Sequence, residues 1–232
     1  VPGAREPLIH PFSYTAKGGQ IIALAGANGA GKTTLLQTLS GAWLPGSGAA
    51  RLGGRTLHEW VSADRGRYVG YVPQDVELLP ATIAENIDRL AAAGPDAVIQ
   101  AAKTAGAHEM IVALPDGYDT RVGPGGAHLS AGQRQMIGLA RALFGDPVLL
   151  LLDEPTANLD AAAAPLLIKA LVEAAARGAI VLASSHDRRL IERANTVMLL
   201  RNGSILAATA EQYLKLATGP GATIPGSQGA VG

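Results

Sequence analysis

The sequence predicts an α/β fold: a mostly parallel sheet with some antiparallel strands and an inserted α-helical subdomain. Two runs, residues 21–25 and 148–152, contain aliphatic side chains alone, which is typical of strands buried on both faces of a parallel sheet. Strand and helix patterns alternate on either side of residues 74–146, whereas the regular patterns within that stretch are all helical. We therefore expect a core from residues 1–73 and 147–217, a helical subdomain at 74–146 and a flexible tail at 218–232.

In the first half of the core, apolar spacing predicts several strands and one helix. The strands are expected at residues 8–16, 21–25, 50–54 and 68–72. The helix follows the second strand through a glycine-rich loop, and its leucines at 35, 36 and 39 have helical spacing. We expect this helix to end near Gly41 or Trp43.

In the helical region, two capping-box spacings mark helix starts. Thr82 and Glu85 form the first, and Ser130 and Gln133 form the second. Helices are expected at residues 83–90, 96–105 and 108–113, and from Ser130 through residue 144. The stretch 117–126 is rich in Gly and Pro, which favours a loop.

In the second half of the core, an Ala/Leu pattern predicts a helix at 161–176. Strands are expected at residues 148–152, 179–183 and 197–200. Asn202 and Gly203 predict a tight hairpin turn into a return strand at 204–208. Thr209 is expected to cap a last helix that ends near residue 216.

Composition excludes several classes of protein. The 232 residues are 48% hydrophobic and carry 19 basic and 19 acidic side chains, so we expect a sizeable core without the basic surface that binds nucleic acid. The absence of cysteine excludes disulfides, thiol catalysis and thiolate metal sites. No apolar run is long enough to span a bilayer. The start has neither Met nor the pattern of a signal peptide, so we expect that the chain was cut from a larger one.

A glycine-rich loop lies between the second strand and its helix. Residues 26–34 read Gly-Ala-Asn-Gly-Ala-Gly-Lys-Thr-Thr, which fits Gly-x4-Gly-Lys-[Ser/Thr] at every required position. The backbone N–H groups of such a loop can cradle phosphates, helped by the helix N-terminus. Lys32 can reach the outer phosphates, and the Thr33 hydroxyl can ligate Mg2+. A glycine turn without a ligand is the alternative, which the flanking strand and helix disfavour.

Two acidic residues, Asp153 and Glu154, follow the buried strand at 148–152. Ligands bind at the carboxyl ends of the strands in open parallel sheets, and successive side chains there point in different directions. Asp153 can therefore face Mg2+ while Glu154 faces an attacking water as a general base. Two surface carboxylates at a strand end are the alternative.

Several further residues have ordinary structural explanations when taken singly. Ser130 is a helix cap, Gln74 a loop residue, His186 a packed or surface histidine, and Asp160 the cap of the helix at 161–176. A helix N-terminus that carries the Ser130 hydroxyl and the Gly132 amide can also bind phosphate. His186 follows another strand and can donate a hydrogen bond to a γ-phosphate.

Taken together and in this order, these residues resemble the ATP-binding subunit or domain of an ABC transporter, from residue 1 to about residue 213. Residues 26–33 resemble Walker A, and residues 148–154 resemble Walker B with its catalytic glutamate. Gln74 resembles the Q-loop glutamine, and residues 129–133 resemble the family signature. Residues 157–160 resemble the D-loop, and His186 resembles the switch histidine. The resemblance implies a P-loop NTPase core of the RecA-like type.

The resemblance also implies a head-to-tail dimer with two ATP molecules, each held between Walker A of one copy and the signature of the other. The implied catalytic residues are Glu154, His186, Gln74 and Lys32. The implied Mg2+ ligands are Thr33, Gln74 and Asp153. The residues implied to contact ATP are Gly26, Asn28, Gly29, Ala30, Gly31, Lys32, Thr33, Thr34, Ser130, Gly132, Gln133 and Asp160.

The resemblance is closer to exporters of the type I secretion class in three segments, which are residues 71–78, 114–120 and 138–147. In that class ATP drives polypeptides across the envelope, which implies a transmembrane domain, fused upstream or separate, and a place on the cytoplasmic face of the inner membrane. An exporter of lipids or small molecules is an alternative. A non-transport ABC ATPase is disfavoured by the zero net charge, so no nucleic acid partner is expected. A regulatory module that does not hydrolyse nucleotide is disfavoured by Glu154 and His186.

Some residues depart from the family pattern. Ala131 replaces the first glycine of the usual Leu-Ser-Gly-Gly-Gln, and its methyl group is expected to weaken closure. Val1 stands where exporters place an aromatic residue on adenine, so we expect weak or absent stacking, with Tyr14 as an alternative stacking residue. Arg121 and Pro124 stand where acidic residues are common in a loop that touches the membrane domain.

Overall fold

The structure is a computed structural model that describes residues 7–218, apart from the side chains of residues 62, 63 and 218. The strands are β1 (Ile21–Gly26), β2 (Arg51–Leu52), β3 (Arg55–Thr56), β4 (Val69–Val72), β5 (Leu149–Asp153), β6 (Ile180–Ser184), β7 (Thr196–Arg201) and β8 (Ser204–Ala208). The helices are α1 (Lys32–Leu39), α2 (Ser62–Tyr68), α3 (Ile83–Ile87), α4 (Pro95–Ala105), α5 (His108–Val112), α6 (Ala131–Leu143), α7 (Ala163–Ala176), α8 (Arg188–Ile191) and α9 (Ala210–Thr218).

The main sheet of the described residues has the strand order β4-β5-β6-β1-β7-β8. Its pairs are parallel from β4 to β7, and β8 runs antiparallel to β7 through the turn at Asn202 and Gly203. Strands β2 and β3 form a separate antiparallel hairpin. The predicted α/β class, with a mostly parallel sheet and some antiparallel strands, is confirmed.

Alternate residues of the central strands pack on opposite faces of this sheet. Ile22 and Leu24 of β1 face the leucines of α1, whereas Ala23 and Ala25 face the side of the sheet that α6 and α7 cover. Both sets are buried, as the fully apolar run at 21–25 predicts. Helices therefore cover the central strands on both faces of the sheet.

The region between β4 and β5 is helical, as predicted. Helix α6 packs against α3 and α4 and also against β4 and α7. Both capping boxes form: Thr82 with Glu85 at α3, and Ser130 with Gln133 at α6. One hydrophobic cluster continues from these helices into the sheet, and the division into a core and a subdomain at 74–146 stays a prediction.

Some predicted elements differ from those in the structure. Residues 8–16 are described and form no strand, so that prediction is wrong. Pro11 has no N–H to donate, although the N–H of His10 does reach the carbonyl oxygen of Gly203 at 2.7 Å. The predicted strand at 50–54 is instead the two short strands β2 and β3, and the short helices α2 and α8 were not predicted.

Within residues 7–218, no helix combines the length and the apolar character that crossing a membrane requires. Val1 and residues 219–232 of the predicted tail lie outside the described residues.

Candidate active site

The parallel strands β1, β5 and β6 end at one edge of the sheet. Asp153, the last residue of β5, is paired in register with Ser184, the last residue of β6. Ser184 is also in register with Leu24 of β1, two residues before Gly26. Because parallel strands end at the same edge, the loops that follow these residues converge there.

The glycine loop after β1 leads directly into α1. Gly31 stands at the N-cap of α1 with a φ of 107°, in the region that favours glycine. A Cβ at this position would lie 3.2 Å from the side chain of Leu8. Gly31 has no side chain that could cap the helix, so the first N–H groups of α1 are available to an external acceptor such as phosphate.

The Lys32 side chain folds back over this loop. Its Nζ donates to the carbonyl oxygens of Gly26 at 2.8 Å and Ala27 at 3.3 Å. The same Nζ lies 4.0 Å from Oε1 of Glu154, and Lys32 is buried. A buried ammonium that is held by carbonyl oxygens can exchange them for phosphate oxygens, which bear more charge.

Thr33 and Asp153 bring α1 and β5 together. The Thr33 hydroxyl donates to Oδ2 of Asp153 at 2.6 Å. A hydroxyl and a carboxylate are the oxygen ligands that Mg2+ takes in nucleotide sites, where it keeps water and phosphate ligands as well, so these residues fit that ion. Within the described residues, no group of three or more His, Cys, Asp or Glu could hold a metal. Water and phosphate oxygens would complete the ligand set of a bound ion.

Tyr71 of β4 also faces this carboxylate. Burial, and then the negative charge of Asp153, raise the pKa of Tyr71 to about 12. The phenol of Tyr71 therefore stays neutral across the physiological range.

Glu154 turns sharply out of the end of β5. Its φ is 44°, and a residue with a Cβ rarely takes this conformation. Its N–H donates to the carbonyl oxygen of Ser184 at 3.1 Å and to the Ser184 hydroxyl at 2.9 Å. The turn places Oε1 of Glu154 3.4 Å from Nε2 of His186.

The loop that carries His186 is tied to the loop that follows Glu154. Asp187 caps α8 by accepting from the N–H of Arg189 at 2.9 Å. Side-chain hydrogen bonds from Arg189 above all lower the pKa of Asp187, and the Thr156 hydroxyl adds a smaller contribution in the same direction. The residue that follows His186 therefore links the start of α8 to the loop after Glu154.

Gln74 and Asp160 lie in the loops that follow β4 and β5. Gln74 is exposed, two residues beyond Val72, which ends β4 in register with Leu152. Asp160 caps α7, because its Oδ1 accepts from the N–H groups of Ala162 and Ala163 at 2.9 and 2.7 Å.

The start of α6 contacts the loop after Glu154. The Ser130 hydroxyl accepts from the N–H of Gln133 at 3.1 Å. A Cβ on Gly132 would lie 3.1 Å from the carbonyl oxygen of Asn158, and the buried Gln135 donates to the carbonyl oxygen of Pro155 at 3.2 Å. Within one copy, therefore, the signature segment lies beside residues 155–158, and its approach to a nucleotide stays a prediction.

The structure brings Lys32, Thr33, Asp153, Glu154 and His186 into one cluster. Sequence reasoning missed the contacts that Ser184 and Gln135 make there. Two serines, 184 and 185, at the end of an otherwise apolar strand were the available signal for Ser184. The hydroxyl of Tyr14 donates to Thr196 at 3.3 Å, at the start of β7. That is the sheet edge opposite to the glycine loop, which disfavours Tyr14 as an adenine-stacking residue.

Comparison with known proteins gives consistent results. The family model described as ABC transporter matches residues 9–157, and a model described as AAA domain, putative AbiEii toxin, matches residues 126–192. The type I secretion system ATP-binding protein PrsD of Rhizobium meliloti is 41% identical over 207 residues, which are 89% of this chain and 36% of PrsD. The ATP-dependent lipid A-core flippase of Burkholderia pseudomallei is 38% identical over 87% of this chain and 34% of its own length.

A solved structure of a bacterial Atm1-family ABC exporter with ATP bound matches with a TM-score of 0.83 and 29% identity, over 92% of this chain and 38% of that chain. The predicted P-loop NTPase core is confirmed by this match. The chain spans about a third of the length of these relatives. Because the family model covers more than half of its residues, this chain belongs to the ABC transporter family.

Proposed function

We propose that this chain is the ATP-hydrolysing domain of an ABC exporter and that it drives transport through a membrane domain outside these residues. The observation that carries the proposal is the cluster of Lys32, Thr33, Asp153, Glu154 and His186 at one edge of the sheet. The likeness to an exporter structure with ATP bound supports ATP as the nucleotide.

The glycine loop would bind the phosphates of ATP. Its N–H groups and those of the first turn of α1 supply donors, and Lys32 supplies a positive charge. The loop residues that we propose to contact ATP are Gly26, Asn28, Gly29, Ala30, Gly31, Lys32, Thr33 and Thr34. Lys32 would exchange the carbonyl oxygens of Gly26 and Ala27 for phosphate oxygens.

Thr33 and Asp153 would hold Mg2+, with Gln74 at the end of the neighbouring strand. The ion would neutralise part of the phosphate charge. The 2.6 Å hydrogen bond between Thr33 and Asp153 supports this proposal, because the two candidate oxygen ligands already lie side by side.

Glu154 would act as the general base. A water molecule attacks the γ-phosphorus, gives a proton to Glu154 and breaks the bond to the bridging oxygen of ADP. His186 would donate to a γ-phosphate oxygen and stabilise the charge that develops there. The distance of 3.4 Å between the two side chains supports a shared role at one phosphate.

A second copy would complete the site in a head-to-tail dimer. Ser130 and Gly132 at the start of α6, with Gln133 and Asp160, would then face the nucleotide held by the glycine loop of the partner. The exposure of Ser130 supports this proposal, because an exposed helix N-terminus attracts anions.

Polypeptide export at the cytoplasmic face of the inner membrane is the transport function that we propose. The identity of 41% with a type I secretion ATP-binding protein supports it. Lipid export is the second candidate, because a lipid A-core flippase is 38% identical over a similar span. The coding sequence before Val1 tests for a fused membrane domain, for which we expect six apolar spans.

Phosphate release by the purified chain tests the enzymatic proposal. With Mg-ATP, we expect the rate to rise with the square of protein concentration while the protein is mostly monomeric, because each site needs two copies. A rate that is proportional to concentration would contradict the shared site. Absence of phosphate release at high protein concentration, with ATP bound, would contradict ATP hydrolysis by this chain.

A further inference from the structure

A single buried hydroxyl contacts both acidic residues of the site. Ser184 ends β6 and is fully buried. Its Oγ donates to Oδ1 of Asp153 at 2.5 Å and accepts from the N–H of Glu154 at 2.9 Å. Both hydrogen-bonding functions of this hydroxyl are therefore used on adjacent residues of the candidate site.

Ser184 and Thr33 together fix the carboxylate of Asp153. Thr33 donates to Oδ2 at 2.6 Å, while Ser184 donates to Oδ1. With one donor on each oxygen, rotation of the carboxylate about its last bond is restricted, and Oδ2 stays directed at the start of α1. Without the Ser184 hydroxyl, Oδ1 would lose its donor at a residue that is 2% exposed, which is unfavourable for a charged group.

The same hydroxyl supports the unusual backbone of Glu154. A φ of 44° is unfavourable for a residue with a side chain, so neighbouring contacts must hold it. The carbonyl oxygen and the hydroxyl of Ser184 both accept from the Glu154 N–H. This backbone turn is what directs Oε1 of Glu154 toward His186 and Lys32.

We propose that Ser184 is a positioning residue of the nucleotide site, which fixes the orientation of the Asp153 carboxylate and the turn at Glu154 at the same time. It acts through these two residues and contacts neither nucleotide nor ion itself. The inference rests on the proposed function, in which Asp153 faces Mg2+ and Glu154 faces the attacking water. A purely structural role, as one more buried hydroxyl, is the alternative that the test must exclude.

The test compares three variants of the full chain. Ser184→Ala removes the hydroxyl, and Ser184→Thr keeps it. Ser185→Ala is the matched control, because Ser185 is also buried and its Oγ accepts from the N–H of Asp187 at 3.0 Å. Thermal unfolding reports the stability of each variant. Equilibrium binding of a fluorescent ATP analogue, with Mg2+ and with EDTA, reports the gain in affinity that the ion gives, and phosphate release reports kcat and KM.

We expect Ser184→Ala to lower the Mg2+-dependent gain in affinity about tenfold, or about 1.4 kcal/mol, and to lower kcat at least tenfold. Affinity in EDTA is expected to change less than twofold, because the glycine loop is untouched. Ser184→Thr is expected to keep both the Mg2+-dependent gain in affinity and kcat within threefold of the values of the unaltered protein. Ser185→Ala is expected to keep the full Mg2+-dependent gain in affinity even if it unfolds at a lower temperature.

The inference is overturned if Ser184→Ala keeps both the Mg2+-dependent gain and kcat, or if Ser185→Ala loses them equally. If Ser184→Ala does not fold, Ser184→Cys replaces it. Its thiol is a weaker donor, so a partial loss of both quantities is expected and an unchanged gain overturns the inference. An unaltered protein that gains no affinity from Mg2+ would instead contradict the proposed function itself.

Discussion

Nε2 of His186 lies 3.4 Å from Oε1 of Glu154. The two residues follow different strands, and the register of Asp153 with Ser184 sets how far apart those strand ends lie. The side chains that we propose to act on one phosphate are therefore brought together by the strands that precede them, and such fixed placement reduces the reorganisation that a reaction requires.

Replacing Glu154 by Gln tests its role as the base. The amide cannot take a proton from water but keeps the shape of the side chain, so we expect kcat to fall by about 10²–10⁴-fold while ATP binding is retained. Size-exclusion chromatography with ATP is expected to show more dimer, because hydrolysis no longer opens it. Glu192→Gln is the control, since Glu192 is exposed and pairs with Arg188. Normal hydrolysis by Glu154→Gln would exclude Glu154 as the base.

Replacing Lys32 by Met tests the link between the glycine loop and nucleotide. The variant loses the hydrogen bonds from Nζ to the carbonyl oxygens of Gly26 and Ala27, so we expect the free chain to unfold at a lower temperature. Loss of a charged donor to phosphate is expected to weaken ATP binding about 10–100-fold. Thermal unfolding with and without ATP measures both effects.

Lys169→Met serves as the control for this experiment, because its side chain is 72% exposed and forms only a loose pair with Glu173. It is expected to keep the stabilisation by ATP. A Lys32→Met protein that ATP stabilises as strongly as the unaltered chain would show that Lys32 does not contact the phosphates.

The sequence predicted the central strands and the capped helices correctly because local chemistry decides them. The run at 21–25 is apolar on both faces of the sheet, and Thr82 and Ser130 each cap a helix with a partner three residues later. The strand predicted at residues 8–16 does not form, because the alternating pattern there is interrupted at Pro11. Pairing with an existing sheet also depends on tertiary contacts, which the local pattern does not contain.

In the candidate site, too, the residues that local sequence identifies differ from those that depend on tertiary contacts. Lys32, Thr33 and Asp153 have motif spacings that can be recognised along the chain. The contacts of Ser184 and Gln135 could not be predicted, because they depend on the register between β5 and β6 and on the packing of α6 against the loop after Glu154. Neither register nor packing is encoded in a short stretch of residues.

Replacing Gly132 by Ala separates stability from the proposed dimer contact. An added Cβ would lie 3.1 Å from the carbonyl oxygen of Asn158, a tight contact that offsets the gain of about 1 kcal/mol that Ala usually gives in a helix. We therefore expect the unfolding temperature of the nucleotide-free chain to change little. Phosphate release is expected to fall at least tenfold, because the methyl group would crowd the nucleotide of the second copy.

Gly66→Ala in α2 is the matched helical control for Gly132, since a Cβ there would meet Arg89 at an ordinary 3.7 Å. It is expected to leave phosphate release unchanged. If Gly132→Ala hydrolyses ATP at the normal rate and forms the dimer with ATP, the start of α6 does not face the nucleotide.

Replacing Tyr71 by Phe tests whether the raised pKa of this phenol affects stability at alkaline pH. Burial and the charge of Asp153 raise the pKa of Tyr71 to about 12 in the folded chain, whereas an unfolded tyrosine titrates near pH 10. Because the folded pKa is the higher one, this tyrosine contributes stability that is fully present below about pH 10 and is lost as the pH rises toward 12. Tyr71 is partly exposed, so we expect the contribution to be about 1 kcal/mol after solvent screening.

Urea unfolding at pH 9 and near pH 11.5 measures this effect as the difference in unfolding free energy between the two conditions. The unaltered chain is expected to lose more stability than Tyr71→Phe over this interval, while Tyr68→Phe, which removes an exposed phenol, is expected to behave like the unaltered chain. The other ionising groups are common to the unaltered chain and Tyr71→Phe, so they cancel in that comparison. Equal losses in the unaltered chain and Tyr71→Phe would mean that burial and the charge of Asp153 together do not raise the pKa of Tyr71.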